Sequence, residues 1–236
     1  MTRSTLSQFT AVSRSRRGFS LIEVVLAIGI FLVTVLALVG LLGPTLQSVD
    51  EVEKTDEIAS VVSTVNAFLQ SSPNIAPNAS KFDAIYGAVA SGDSATLFVF
   101  RQYFDSATGN TNANATDVRL QVGFKQDEST IDASAQITDF SNAAGPIYRV
   151  VLTPSSVLPS PTAQPAKYRS VDRVASTNTY TLNADLDDYE EGYFAMEVRI
   201  FAEDPPPPGG TFVEDVALTA LVDIEPLFTY NTAVVR

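Results

Sequence analysis

The sequence predicts an α+β fold in which a long N-terminal helix packs against an antiparallel sheet, and three features of its 236 residues predict it. Phe19 to Leu42 is an apolar run broken only by Glu23. Apolar residues then return at a spacing of three to four, the period of a helix with one buried face. Further on, apolar and polar residues alternate in twos between breaks rich in Gly, Pro, Asn and Thr, as half-buried strands do.

The apolar run holds 24 residues. As a helix it would reach roughly 36 Å, enough to cross a hydrocarbon core of about 30 Å. Arg14, Arg16 and Arg17 stand immediately before it, which places the N-terminus in the cytoplasm and exports the remainder of the chain. Gly40, Gly43 and Pro44 come where the run ends, and proline removes a backbone donor and clashes with the preceding turn, so a kink or a locally melted stretch is expected there. Leu46, Val49, Val52, Ile58, Val61, Val65 and Phe68 then continue a helical stripe opposite Glu51, Lys54, Asp56 and Glu57. Ser71, Ser72 and Pro73 stop it.

Strands are expected at Leu97 to Phe104, Val118 to Phe124, Ile147 to Leu152, Phe194 to Ile200 and Val216 to Ile224. In the fourth, Glu197 and Arg199 alternate with apolar residues and should face water. Asp105 to Asp117 and Pro154 to Pro165 read as loops. Asp204 to Gly210 contains four consecutive prolines, which lack amide donors and favour an extended form, so it reads as a stiff inter-strand connector. The domain plan is a leader at 1–18, an apolar helix at 19–43, its amphipathic continuation at 44–71 and a β-rich head at 72–236.

A secretory signal would be cut after its apolar core, whereas here the small residue, Gly18, precedes the core. GFSLIEV after a short basic leader resembles the class III signal of type IV prepilins and type II secretion pseudopilins. The resemblance covers about the first fifth of the chain. It implies cleavage by a prepilin peptidase between Gly18 and Phe19, methylation of the new amine at Phe19, and retention of the apolar helix on the mature chain. It also implies that Glu23 pairs with the N-terminal amine of a neighbouring subunit during assembly. A carboxylate at this depth costs about 2.5 to 3.5 kcal/mol on insertion scales and needs such a partner.

Formal charge is −12, and the leader holds Arg3, Arg14, Arg16 and Arg17 with no acid, so its removal leaves a still more acidic chain. Such a head is a poor direct binder of nucleic acid. With no cysteine there is neither a disulfide nor a thiolate metal site, a departure from pilins that close a C-terminal loop with a disulfide. With no histidine, the commonest general base and most zinc sites are gone, so an enzyme is not expected. Asp185, Asp187, Asp188, Glu190 and Glu191 form the densest acidic segment, and major pseudopilins bind calcium in a C-terminal loop. The spacing here is not that of an EF-hand loop, so the segment reads as a solvated turn and no metal ligand or cofactor is assigned.

The resemblance implies a structural subunit of a type IV pilus-like or type II secretion filament. Its expected partners are the prepilin peptidase and methylase, other pilin or pseudopilin subunits, the membrane and the inner-membrane assembly platform. The large head and the stretch AIGIF resemble minor pilins of the V and I groups, and more loosely the Verru_Chthon cassette proteins of B type. The alternative is a membrane-anchored extracytoplasmic binding module, which leaves Gly18 and Glu23 as coincidences.

Overall fold

Helix α1 spans Leu21–Ser71, and a second helix, α2, spans Lys81–Gly92. Five strands come after them: β1 Ala95–Phe104, β2 Asp117–Phe124, β3 Ala143–Pro154, β4 Tyr193–Glu203 and β5 Phe228–Val235. This computed structural model describes residues 18–71, 74–92, 94–111, 114–207 and 209–236, without the side chains of 42–48, 50 and 51. Arg3, Arg14, Arg16 and Arg17 of the basic leader lie outside the described residues. The chain divides into two compact units, Met1–Lys54 and Thr55–Arg236, and α1 begins in the first and ends in the second.

In the first unit, Leu21–Leu41 is a helical stretch of 21 residues with a mean hydropathy of 3.0, long and apolar enough to cross a membrane. Its described side chains are all exposed, with Leu21 at 84% and Leu36 at 70%. Burying one such side chain is worth about 1.5 to 3 kcal/mol, so the stretch is driven strongly out of water. Thr34 satisfies its hydroxyl internally by donating to the Ile30 carbonyl at 2.8 Å. Gly40, Gly43 and Pro44 do not interrupt the helix, which corrects the expectation of a melted stretch. Pro44 deprives only the Gly40 carbonyl of its donor, and long helical arms on both sides offset a penalty of about 3 kcal/mol.

The second unit is built on one antiparallel sheet in the order β2-β1-β3-β4-β5. One face carries Leu97 and Val99 of β1, Phe124 of β2, Val150 and Leu152 of β3, Phe194, Met196, Val198 and Ile200 of β4, and Val234 of β5. Against it lie Val61, Val65 and Leu69, buried at four-residue intervals along α1. Helix α2, not anticipated from the sequence, adds Phe82, Ile85, Tyr86 and Val89. It is started by Ser80, whose hydroxyl accepts the Asp83 amide at 3.0 Å.

The opposite face is covered too. Phe98 and Phe100 pack with Ile137, Phe140 and Phe212, while Val151 and Phe201 pack with Leu221, Val216 and Leu218. The 131–137 segment crosses so closely that a Cβ on Gly123 would lie 2.8 Å from the Ala135 carbonyl oxygen. Two expectations are thereby corrected. The segment Val216 to Ile224 is a strap lying on the sheet, with a short 3-10 turn at Leu218–Leu221, and the fifth strand is β5 instead. Glu197 and Arg199 are each only 6% exposed, because β4 is covered on both faces. Arg173 takes both Glu197 oxygens, and Arg199 keeps Nε and Nη2 without a hydrogen-bond partner.

The strap is held by charges with opposing pH dependence. Lys125 pairs with Asp215 at 2.9 Å, which lowers the Asp215 pKa below its ordinary value. Burial raises Glu128 and Glu214 above theirs. A carboxyl raised in the folded state contributes stability that is fully present below its unfolded pKa of about 4.5 and is lost as pH rises through the folded value. Asp215 acts oppositely, contributing above its unfolded value of about 3.8 and losing that contribution as pH falls. Glu128→Gln, which cannot ionise, is expected to raise the urea midpoint at pH 7 and to flatten its decline above pH 4.5. A variant whose midpoint tracked the wild type from pH 4 to 7 would count against this account.

Candidate processing and assembly site

The first turn of α1 is set by a reciprocal cap. Ser20 precedes the helix, and its hydroxyl accepts the Ile22 amide at 3.3 Å. Glu23 reaches back, its Oε2 accepting the Ser20 amide at 3.4 Å. The Ser20 carbonyl accepts the amides of Glu23 at 3.0 Å and Val24 at 3.2 Å, so the helical ladder starts at this residue. This is a capping box, in which a Ser and a Glu three residues apart satisfy amides that a helix start leaves without partners. The S-x-x-E spacing at Ser20–Glu23 could have revealed it, and Ser20 is the residue that the reading of the sequence missed.

Just outside the cap, Gly18 and Phe19 are non-helical and exposed, Phe19 at 83%. A Cβ on Gly18 would meet nothing within 4 Å. Among the described residues, nothing therefore imposes a steric need for glycine there. Together Gly18, Phe19, Ser20 and Glu23 form an accessible peptide bond beside a well-defined helix start, with one carboxylate in an otherwise apolar turn. Ile22, Val25, Leu26, Ile30 and Val33 border a shallow apolar notch at Gly29 on the same helix.

The other candidate residues lie elsewhere. Asp185, Asp187, Asp188 and Glu190 are exposed and Glu191 is half-buried, around a single 3-10 turn at Leu186–Asp188. Glu190 pairs with Lys167 at 3.1 Å. Among the described residues, no group of three or more His, Cys, Asp or Glu side chains is placed to hold a metal ion. Gly40 is exposed within the apolar helix, and Gly43 and Pro44 continue it in helical conformation.

Residues 13–39 match the prokaryotic N-terminal methylation motif. No curated protein and no solved structure matches the chain. The matched stretch contains Gly18, Phe19, the capping box and most of the apolar helix. The chain thus carries a type IV prepilin-like class III signal at the head of an apolar helix.

Proposed function

We propose that this chain is a filament subunit, a minor pilin or minor pseudopilin. A prepilin peptidase cuts it between Gly18 and Phe19, and Phe19 is then methylated. Before assembly the chain sits in the cytoplasmic membrane with its N-terminus inside and its sheet unit exported. On assembly the apolar helix moves from lipid into the filament core, one apolar setting for another. Gly40, Gly43 and Pro44 would give that helix a place to yield. The observation that carries this reading is the methylation motif seated on an exposed, capped, apolar helix start. That no described residue crowds Gly18 is in keeping with a glycine kept for the peptidase.

The test is the intact mass of the protein from membranes of its native host. The wild type is expected to begin at Phe19 and to carry one methyl group. Gly18→Ala and a host lacking prepilin peptidase are both expected to retain the leader. Cleavage beyond the apolar run, or a retained leader in the wild type, would instead make the chain an anchored or secreted binding module.

A further inference from the structure

Strand β4 turns Glu197, Arg199 and Phe201 to one face of the sheet, and Val198 and Ile200 to the core on the other. Arg199 stands across from Val151 of β3 and Thr229 of β5. It is 6% exposed, since Val151 and Phe201 pack beneath Leu221 of the strap and Arg173 closes over Glu197. Its Nε and Nη2 have no hydrogen-bond partner among the described residues. These two nitrogens share one edge of the planar guanidinium, from which two N–H bonds can meet two oxygens at once. Arg149 turns that same edge onto both oxygens of Glu203. The chain itself thus shows what the edge accepts, a pair of oxygens on one negatively charged group.

The acid beside Arg199 on its own strand is already committed. Both Glu197 oxygens accept from Arg173, one of them from Nη1 at 2.9 Å. Tyr180 joins Arg173 to a further cation, because the Cζ atoms of Arg173 and Arg169 lie 4.9 Å and 4.8 Å from its ring centre. The Arg169 Nε is likewise buried without a partner. Burial pulls the Arg199 pKa below its ordinary value; Glu197 opposes that shift and Arg173 adds to it. In a chain of net charge −12, this face therefore carries a local excess of positive charge. A buried charge without a partner is costly by itself, so a counter-charge arriving here gains without breaking an existing pair.

We infer that Arg199 is an anion site, which binds a small oxyanion such as a carboxylate or a phosphate across Nε and Nη2. The ion enters from the β5 edge, where Thr229 and Asn231, the cross-strand partners of Arg199 and Glu197, are both exposed. The Thr229 hydroxyl faces Arg199 across the strand pair and can donate to the same ion. Asn231 spends its Oδ1 on the Ser155 hydroxyl, which leaves its Nδ2 as a second donor. A segment of another protein is a poor occupant, because the strap and Arg173 leave the arginine only a narrow opening. A free ion of a few atoms suits that limit. The site belongs to the sheet unit and does not depend on the filament reading.

The probes are acetate and inorganic phosphate, titrated calorimetrically into the detergent-solubilised full chain against sodium chloride of equal ionic strength. Saturable binding of at least one of them, a single ion per chain, is the expected result. Arg199→Met removes the fork and its charge, and Arg199→Lys keeps the charge in a group that cannot form the fork. Each is expected to weaken binding by about tenfold or more. In chloride alone the urea midpoint of Arg199→Met should equal or exceed that of the wild type, because the variant removes a buried charge that has no partner. The binding ion should then raise the wild-type midpoint more than the variant's. A wild type that binds neither ion beyond the chloride control overturns the site. Binding that both variants retain does the same, since it marks an adventitious ion only. A midpoint that falls in chloride for Arg199→Met would show a guanidinium already satisfied within the fold, and that too overturns it. Should Arg199→Met fail to fold, Arg199→Lys decides: lost binding supports the site and retained binding overturns it.

Discussion

Glu23→Gln is expected to be cut and methylated like the wild type and yet to enter filaments at least tenfold less. The choice of glutamine matters because it separates the cap that Glu23 forms from the assembly charge proposed for it. In the chain by itself it accepts the Ser20 amide at 3.4 Å and completes the capping box. A glutamine at the third helical position makes the same reciprocal bond, so the helix start survives the substitution. What glutamine cannot do is carry a negative charge toward the positively charged amine of a neighbouring Phe19. In an apolar setting that pairing opposes an insertion cost of about 2.5 to 3.5 kcal/mol, and even 1.4 kcal/mol is a factor of ten in an equilibrium. Incorporation is read from the sheared fraction, and processing from the intact mass of the membrane fraction. Wild-type incorporation of the glutamine variant, with loss in Glu23→Leu, would mean that the residue serves as a cap and not as an assembly charge. Ser20→Ala separates the roles from the other side: it removes the hydroxyl half of the cap and leaves the Glu23 charge in place.

How much of this could be read from the sequence depended on whether the physics was local. The apolar helix, its continuation to Ser71 and the first four strands come from periodicity, which neighbouring residues alone determine. Helix α2 was missed because its run of alanines and glycines, KFDAIYGAVASG, shows neither clear period, although Ser80 offered a cap. Val216, Leu218, Ala220, Val222 and Ile224 read as a strand by their alternation, but the segment is a strap whose 3-10 turn brings Leu221 onto the sheet. Glu197 and Arg199 read as surface residues because nothing local tells a strand that its second face will be covered. That covering comes from segments distant in the chain: residues 131–142 show no period, and the apolar alternation after Val216 is one that a strap and a strand share. The N-terminal motif is legible because it is confined to consecutive residues, 13–39, and Gly18, Phe19 and Glu23 can be named within it as candidates. The carboxylate's bond to the Ser20 amide was announced by the S-x-x-E spacing, which the motif's apolar context overshadowed.

The largest loss of stability is expected from Arg149→Met, about 3 to 5 kcal/mol, the range for removing one partner of a buried ion pair. Arg149 is 1% exposed in the middle of β3, an expensive place for a guanidinium unless every donor is used. Its Nε and Nη2 grip both oxygens of Glu203, Nη1 donates to the Glu214 carbonyl at 2.6 Å and Nη2 also to the Val213 carbonyl at 2.6 Å. Its Cζ lies 4.9 Å from the Phe98 ring centre and 5.6 Å from that of Phe212. One side chain therefore ties the end of β4 and the returning strap to the covered face of the sheet. Methionine fills similar space but leaves Glu203 and two carbonyls without their donors. The Glu203 side chain is 28% exposed, so water recovers part of the deficit and the lower half of the range is the expected outcome. Arg149→Lys should also be costly, since an ammonium cannot reproduce the two-pronged grip. Arg149→Met/Glu203→Leu should recover stability relative to Arg149→Met, because an apolar pair leaves no orphaned carboxylate. Urea unfolding of the detergent-solubilised full chain measures all three, and hydrogen exchange across residues 210–221 shows whether the strap loosens first. A loss below about 1 kcal/mol for Arg149→Met, with unchanged exchange in the strap, would show that apolar packing of Phe212 and Leu221 holds it without the arginine.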